Sequence, residues 1–371
     1  MNGSGKHGRN TRGWLPWVAL GAALVVGGVI GGVIVAATRS SAAPTASSTS
    51  SSAGSVQVSA CNVISVSDQV LPSVVTISAS GRGGSGTGSG EIIKSDGYIL
   101  TNNHVIAVAA NGGSVEVLFA DGQTAPATIT GRDPQTDLAV IKTDTAPKLP
   151  VIPMGTSATV KVGEATVVLG APLGLSGTVT SGIVSALDRT IHVPAENDTT
   201  ALLVSALQTD ASINPGNSGG AMVNCAGQLI GVPTAGATVP SSSGESSGGS
   251  IGLGFAIPVD LAKTISDEII ATGSVTHSYF GMGTVPIPPA AAADGGVPQG
   301  LFVQSVVPGG PAAQAGLRQG DVITKINGEP ATSTVQLQEL TLTKRPGDTV
   351  QLEYWRDGQT TTVTVTLGHQ P

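Results

Sequence analysis

The chain has 371 residues, room for two or three domains, and with 3 Trp, 3 Tyr and 4 Phe against 52 Gly its core has to be built from small aliphatic residues. Charged residues make up only 11%, and 17 Lys and Arg among 24 Asp and Glu leave too little for a basic nucleic-acid-binding face. Residues 1–40 carry Lys6, Arg9, Arg12 and Arg39 and no acid, so the remaining chain holds 13 basic against 24 acidic residues.

In chain order, residues 1–13 read as a cytoplasmic tail and 14–37 as a transmembrane helix. The stretch Trp14 to Ala37 is uncharged over 24 residues, enough at about 1.5 Å per residue to cross a hydrocarbon core of about 30 Å. Lys6, Arg9 and Arg12 precede it, and the positive-inside bias then keeps the N-terminus in the cytoplasm and exports the rest. A signal peptide cut after Val35-Ala36-Ala37 is the alternative, disfavoured because the apolar stretch exceeds an ordinary h-region. Residues 38–61 are rich in Ser, Ala and Thr and read as a flexible linker. The two cysteines, Cys61 and Cys225, both fall in the exported part, where one disulfide is favoured over two free thiols.

Residues 62–275 alternate short β-rich runs with Gly, Asn, Asp and Pro. These include Val74–Ser78, Tyr98–Asn102, Ser114–Leu118, Leu138–Lys142, Ala165–Gly170, Thr178–Ala186, Leu202–Thr209 and Leu229–Val232. About a dozen strands suit two β-barrels. Pro258 opens and Gly273 closes a helical pattern that ends this region. Residues 276–371 form a second, compact α+β domain, with apolar runs at Leu301–Val307, Asp321–Ile326 and Val350–Trp355, a helix across Thr334–Thr343 and an alternating strand at Thr361–Leu367.

The Gly-rich stretch 81–90 contains Gly81, Gly83 and Gly86 in a G-x-G-x-x-G pattern, but no helix follows it, so it reads as a flexible loop and not a nucleotide site. The histidines and cysteines have no metal-ligand spacing, and neither metal nor cofactor is expected. Chemistry concentrates elsewhere. Ser218 lies in Asn214-Pro215-Gly216-Asn217-Ser218-Gly219-Gly220, a turn where missing side chains let a substrate approach and let N–H groups converge. A serine hydroxyl needs a base to become a nucleophile, and the base needs a carboxylate to fix its tautomer. His104 in Thr101-Asn102-Asn103-His104-Val105 and Asp137 in Asp133-Pro134-Gln135-Thr136-Asp137 precede it in the order His, Asp, Ser.

TNNHV, DPQTDLAVIK, QTDASINPGNSGG and GLGFAIP, in this order, closely resemble the HtrA serine proteases, in their membrane-anchored, single-PDZ actinobacterial type. The resemblance implies a mainly β, chymotrypsin-like double β-barrel over 62–275 followed by a small PDZ domain over 276–371. It makes His104 the general base, Asp137 its orienting carboxylate and Ser218 the nucleophile, with the N–H groups of Gly216 and Ser218 as oxyanion hole. Asn217 stands where pancreatic-type proteases have an aspartate that pairs with a newly cut N-terminus, so zymogen cleavage is not expected to activate this chain. Ser212 lies six residues before Ser218 and Gly252-Leu253-Gly254-Phe255 would complete an apolar S1 pocket for small or medium aliphatic side chains. Mobile segments at 170–175 and 236–250 would order on activation. In the PDZ part, Tyr279-Phe280-Gly281-Met282 would be the carboxylate-binding loop for peptide C-termini.

The expected function is an extracytoplasmic, membrane-anchored serine endopeptidase of unfolded or damaged proteins, regulated by peptide at the PDZ domain. The likeness also suggests a homotrimer, although no aromatic residue in 62–80 offers a clasp between subunits. The rival expectation is a catalytically idle peptide-binding scaffold or holdase.

Overall fold

In the computed structural model, the residues described are 61–144, 148–171, 177–194, 200–236 and 250–370. The expected cytoplasmic tail, the transmembrane helix at 14–37 and nearly all of the linker lie outside them. Among the described residues no helix is long and apolar enough to cross a membrane.

A short helix, α1 (Val63–Val70), is capped by the Asn62 side chain, which accepts from Ser65 N–H at 3.2 Å. Alternating side chains then build the first barrel from β1 (Val74–Gly81), β2 (Gly84–Ile92), β3 (Tyr98–Asn102), β4 (Ser114–Leu118), β5 (Thr124–Asp133) and β6 (Leu138–Thr143), closed in the order β1-β2-β3-β6-β5-β4. Ile77, Ile92, Ile99, Val117 and Ile141 fill its interior. A single helical turn, α2 (Asn103–Ile106), follows β3.

The expected flexible loop at 81–90 is instead most of β2, paired with β1 from Val74↔Glu91 to Gly81↔Gly84. Its glycines answer to packing. A Cβ on Gly90 would stand 2.7 Å from both Ile77 and Ile99, and one on Gly88 2.5 Å from Val105. Small residues on the inner face of this strand let the barrel close around larger ones on its neighbours.

The second barrel repeats the plan with β7 (Ala165–Gly170), β8 (Thr178–Pro194), β9 (Thr200–Thr209), β10 (Ala221–Asn224), β11 (Leu229–Gly236) and β12 (Gly254–Pro258), in the order β10-β11-β12-β9-β8-β7. Leu100, Leu138 and Val140 face outward from the first barrel into one cluster with Val232 and Ile257 of the second. Helix α3 (Val259–Thr272) lays Ala262, Ile265 and Ile269 on that cluster. Its start is held by Asp260, whose carboxylate accepts from Thr156 Oγ1, Ser157 N–H and Ala158 N–H at 2.9 Å each. It ends at Gly273 with φ 80°. Cys61 and Cys225 are joined, with Cα atoms 5.1 Å apart.

The remaining chain forms a small domain: β13 (Ser278–Tyr279), β14 (Met282–Pro286), α4 (Pro289–Gly295), β15 (Leu301–Val306), α5 (Pro311–Gln314), β16 (Val322–Ile326), β17 (Glu329–Pro330), α6 (Thr334–Thr343), β18 (Thr349–Arg356), β19 (Gln359–Thr366) and β20 (Gly368–His369). The main sheet runs β14-β15-β16-β18-β19, while β13 pairs with β20. Helix α6 opens on a capping box, with Ser333 accepting from Val335 N–H and Gln336 reaching back to Ser333 N–H. Leu342 of α6 packs on Leu202 and Val204 of β9. Arg345 and Glu268 pair at 2.7 Å, and His277 Nε2 meets Asp133 Oδ1 at 2.9 Å with both residues buried.

Candidate active site

His104 sits on the single turn α2, placed there by the end of β3. Asp137 stands just ahead of β6, the neighbour of β3, with its backbone at φ 57°. That left-handed conformation is one aspartate tolerates better than most residues. Asn102 Nδ2 and Asn103 N–H both donate to the Asp137 carbonyl oxygen, at 2.9 and 3.0 Å. Its carboxylate is thereby aimed at His104: Nδ1 lies 2.8 Å from Oδ2 and 3.1 Å from Oδ1, and His104 N–H donates to Oδ1 at 3.0 Å. Asp137 is almost fully buried while the imidazole is 36% exposed, so the ring is held against the carboxylate through Nδ1 and keeps its other edge open to solvent.

Ser218 reaches the same site from the second barrel. Thr234 of β11 connects the two sides: its hydroxyl donates to Asp137 Oδ2, and its carbonyl oxygen accepts from Ser218 Oγ at 3.3 Å. The Ser218 hydroxyl is thus turned to Thr234 and forms no hydrogen bond with His104. The turn around it is wired to β2 by Ser89, which is fully buried. Ser89 Oγ donates to the Gly216 carbonyl at 2.6 Å and accepts from Ala171 N–H at 2.8 Å, while Ser89 N–H donates to the Ser218 carbonyl at 2.9 Å. Gly216 has φ 100°, accessible at little cost only to glycine. Among the described residues neither Gly216 N–H nor Ser218 N–H has an acceptor, which leaves two donors at the turn for an oxyanion.

Residues 88–232 match the trypsin-like peptidase domain and residues 275–367 the PDZ domain. The chain is 42% identical over 314 residues to the serine protease PepD of Mycobacterium tuberculosis, a match covering 83% of this chain and 66% of the relative. It is 40% identical over 288 residues to a DegP-like periplasmic serine endoprotease of Halomonas elongata, covering 76% and 56%. The matches therefore span between about half and two thirds of these relatives' length. Among solved structures, the HtrA-type protease AlgW with decapeptide superimposes with a TM-score of 0.66 and 32% identity, over 83% of this chain and 99% of that one. The chain belongs to the HtrA-type serine proteases. A serine endoprotease from Yersinia pestis, 35% identical with a TM-score of 0.61 over 83% of this chain and 98% of that one, has the same architecture.

Around this HtrA-type site the S1 candidates divide. The Ser212 carbonyl accepts from Thr180 Oγ1 at 3.0 Å and Asn217 Nδ2 at 3.3 Å, which fixes it below the Ser218 turn. Gly254 lies against the Ile213 side chain, where a Cβ would come within 2.6 Å. Ser250 N–H, just ahead of Gly252 and the exposed Leu253, donates to Asn214 Oδ1 at 3.0 Å. Phe255 does not join this wall. Alternation along β12 turns its ring to the opposite face, against the inter-barrel cluster with Ile257. Asp210, the nearest acid, accepts from Ile183 N–H at 2.7 Å and is committed to β8. Residues 172–176 and 237–249, which hold most of the segments expected to order on activation, lie outside the described residues.

Tyr279, Phe280, Gly281 and Met282 line one side of a groove of about 480 Å³, closed opposite by Thr334, Leu337, Gln338 and Thr341 of α6. Phe280 and Gly281 N–H have no acceptor among the described residues. Sequence reasoning missed Ser89, Asn102 and Thr234. The signal for Ser89 was its place among glycines on a strand, and for Thr234 its place on β11, but each becomes meaningful only through contacts across the two barrels.

Proposed function

We propose that this protein is a serine endopeptidase of unfolded or damaged polypeptides. His104 Nε2 removes the proton of Ser218 Oγ as that oxygen bonds to the scissile carbonyl carbon. Asp137 holds the Nδ1–H tautomer and offsets the imidazolium charge. The oxyanion is received by Gly216 and Ser218 N–H, each such donor being worth about 3–4 kcal/mol. His104 returns the proton to the departing amine, and water then repeats the sequence on the acyl-enzyme. The observation that carries this reading is Thr234, which bonds to Asp137 through its hydroxyl and to Ser218 through its carbonyl, gathering the three residues into one site.

The Ser218 hydroxyl, turned to Thr234, represents a resting form. Rotation about its Cα–Cβ bond exchanges one hydrogen bond, worth about 0.5–1.5 kcal/mol, for one to His104 Nε2. A peptide C-terminus in the groove between the Tyr279–Met282 loop and α6 would favour the active arrangement. Small or medium aliphatic P1 side chains fit a wall of Ser212, Leu253 and Gly254. The charge asymmetry of residues 1–40, the two cysteines and relatives described as periplasmic support a single-pass anchor at 14–37 with the catalytic part outside the cytoplasm. The family likeness supports a homotrimer, which sedimentation of the full chain tests.

The same serine orientation favours a second reading, an idle peptide-binding scaffold. Cleavage of unfolded casein by the full chain separates the two. The protease reading expects cleavage that rises with a hydrophobic C-terminal peptide and falls by at least about 10⁴-fold in Ser218→Ala. No cleavage while peptide still binds would establish the scaffold instead.

A further inference from the structure

The peptide groove is not built by the C-terminal domain alone. Phe280, Met282 and Leu337 give it an apolar surface, and none of its lining residues carries a charge. One of those residues, Gln135, belongs to the loop between β5 and β6 of the first barrel. Its Nε2 donates to Gln370 Oε1 at 3.1 Å, and Gln370 N–H in turn donates to the His277 carbonyl at 3.1 Å. His277 immediately precedes Ser278, so this chain of hydrogen bonds ties Gln135 to the strand that leads into the Tyr279–Met282 side of the groove, which Gln135, Phe280 and Gly281 line together. The loop beneath it is fastened: Asp133 accepts from Gln135 N–H at 3.2 Å and Thr136 Oγ1 at 2.5 Å, and it meets His277 Nε2.

We propose that Gln135 is a peptide-contacting residue that determines specificity: its side-chain amide joins the backbone N–H groups of Phe280 and Gly281 in holding the terminal carboxylate of a bound peptide. The inference rests on reading this groove as the peptide site. Gln135 Nε2 has a second hydrogen beyond the one given to Gln370, and Gln135 is exposed, so a ligand can reach it. A carboxylate surrounded by neutral donors depends on each of them. The loop that supplies this donor also carries Asp137 two residues later.

The test is binding of an N-terminally fluorescent hydrophobic decapeptide to the full chain, with a free C-terminal carboxylate or a C-terminal amide, read by anisotropy. Gln135→Glu is expected to weaken the carboxylate peptide about three- to fivefold and the amidated one less than about twofold, the range of an exposed charge pair. Gln135→Lys is expected to strengthen only the carboxylate peptide by a similar factor, an opposite sign that misfolding cannot produce. Variants that shift both peptides alike, or neither, overturn the inference while wild-type binding leaves the peptide-site reading standing. Failure of the wild type to bind the carboxylate peptide brings down that reading and the inference with it.

Discussion

Replacing Glu91 by glutamine should flatten the pH dependence of stability. Glu91 lies on β2 in register with Val74 on one side and Leu100 on the other. It is fully buried, and neither carboxyl oxygen has a partner. Burial pushes its pKa well above the ordinary 4.5, opposed to a smaller extent by the nearness of its own backbone N–H. The folded chain therefore holds a proton that the unfolded chain releases, and unfolding becomes easier as pH rises. The penalty is absent below the ordinary value, grows by about 1.4 kcal/mol for each pH unit above it, and levels off once the folded group ionises. Glutamine keeps the shape and removes the proton. Urea unfolding at about pH 5, 6 and 7 should show Glu91→Gln gaining on the wild type as pH rises, by up to about 1.4 kcal/mol per unit until the folded carboxyl ionises. Glu91→Leu should add a pH-independent gain of about 1–3 kcal/mol from deleting the unpartnered oxygens. Parallel curves for the wild type and the Glu91→Gln variant across this range would refute the reasoning, because they would mean the carboxyl ionises as it does in water.

Thr234→Val, which deletes the donor to Asp137 and keeps the backbone carbonyl, should lower kcat about tenfold and leave KM within about twofold in steady-state peptide cleavage. The joined pair Cys61 and Cys225 closes a separation of 164 residues, so Cys225→Ser should cost about 2–5 kcal/mol. Thermal melts with and without reductant check this, since reductant should lower the wild type to the variant's midpoint and leave the variant unmoved.

The architecture was largely legible in the sequence because its signals are local. Period-two alternation marked β19, a short apolar run between turn residues marked β6, and the helix expected across Thr334–Thr343 is α6. The two errors share a cause. Glycines at 86, 88 and 90 looked like a mobile loop because sequence does not show Val105, Ile77 and Ile99 pressing on that strand. Phe255 looked like a pocket wall because it adjoins Gly254, while its face was set by the pleat of β12. For the site, His104, Asp137 and Ser218 stood out by their neighbours in the chain. Ser89 and Thr234 act through partners 127 and 97 residues away, a distance over which a single sequence carries no pairing information. Gln135 is a similar case, ordinary in its loop until the second domain folds against it.

The bond between Cys61 and Cys225 also has a topological consequence. His104, Asp137 and Ser218 all fall between its two ends, so the whole proposed machinery lies inside one covalent ring. A single backbone nick anywhere in that ring yields no separate fragment under oxidising conditions; both pieces stay linked, and both remain attached to whatever precedes Cys61. For an enzyme exposed to its own activity, self-inflicted cuts would then be visible only on a reducing gel, and an internally cut molecule keeps its three residues on one connected object.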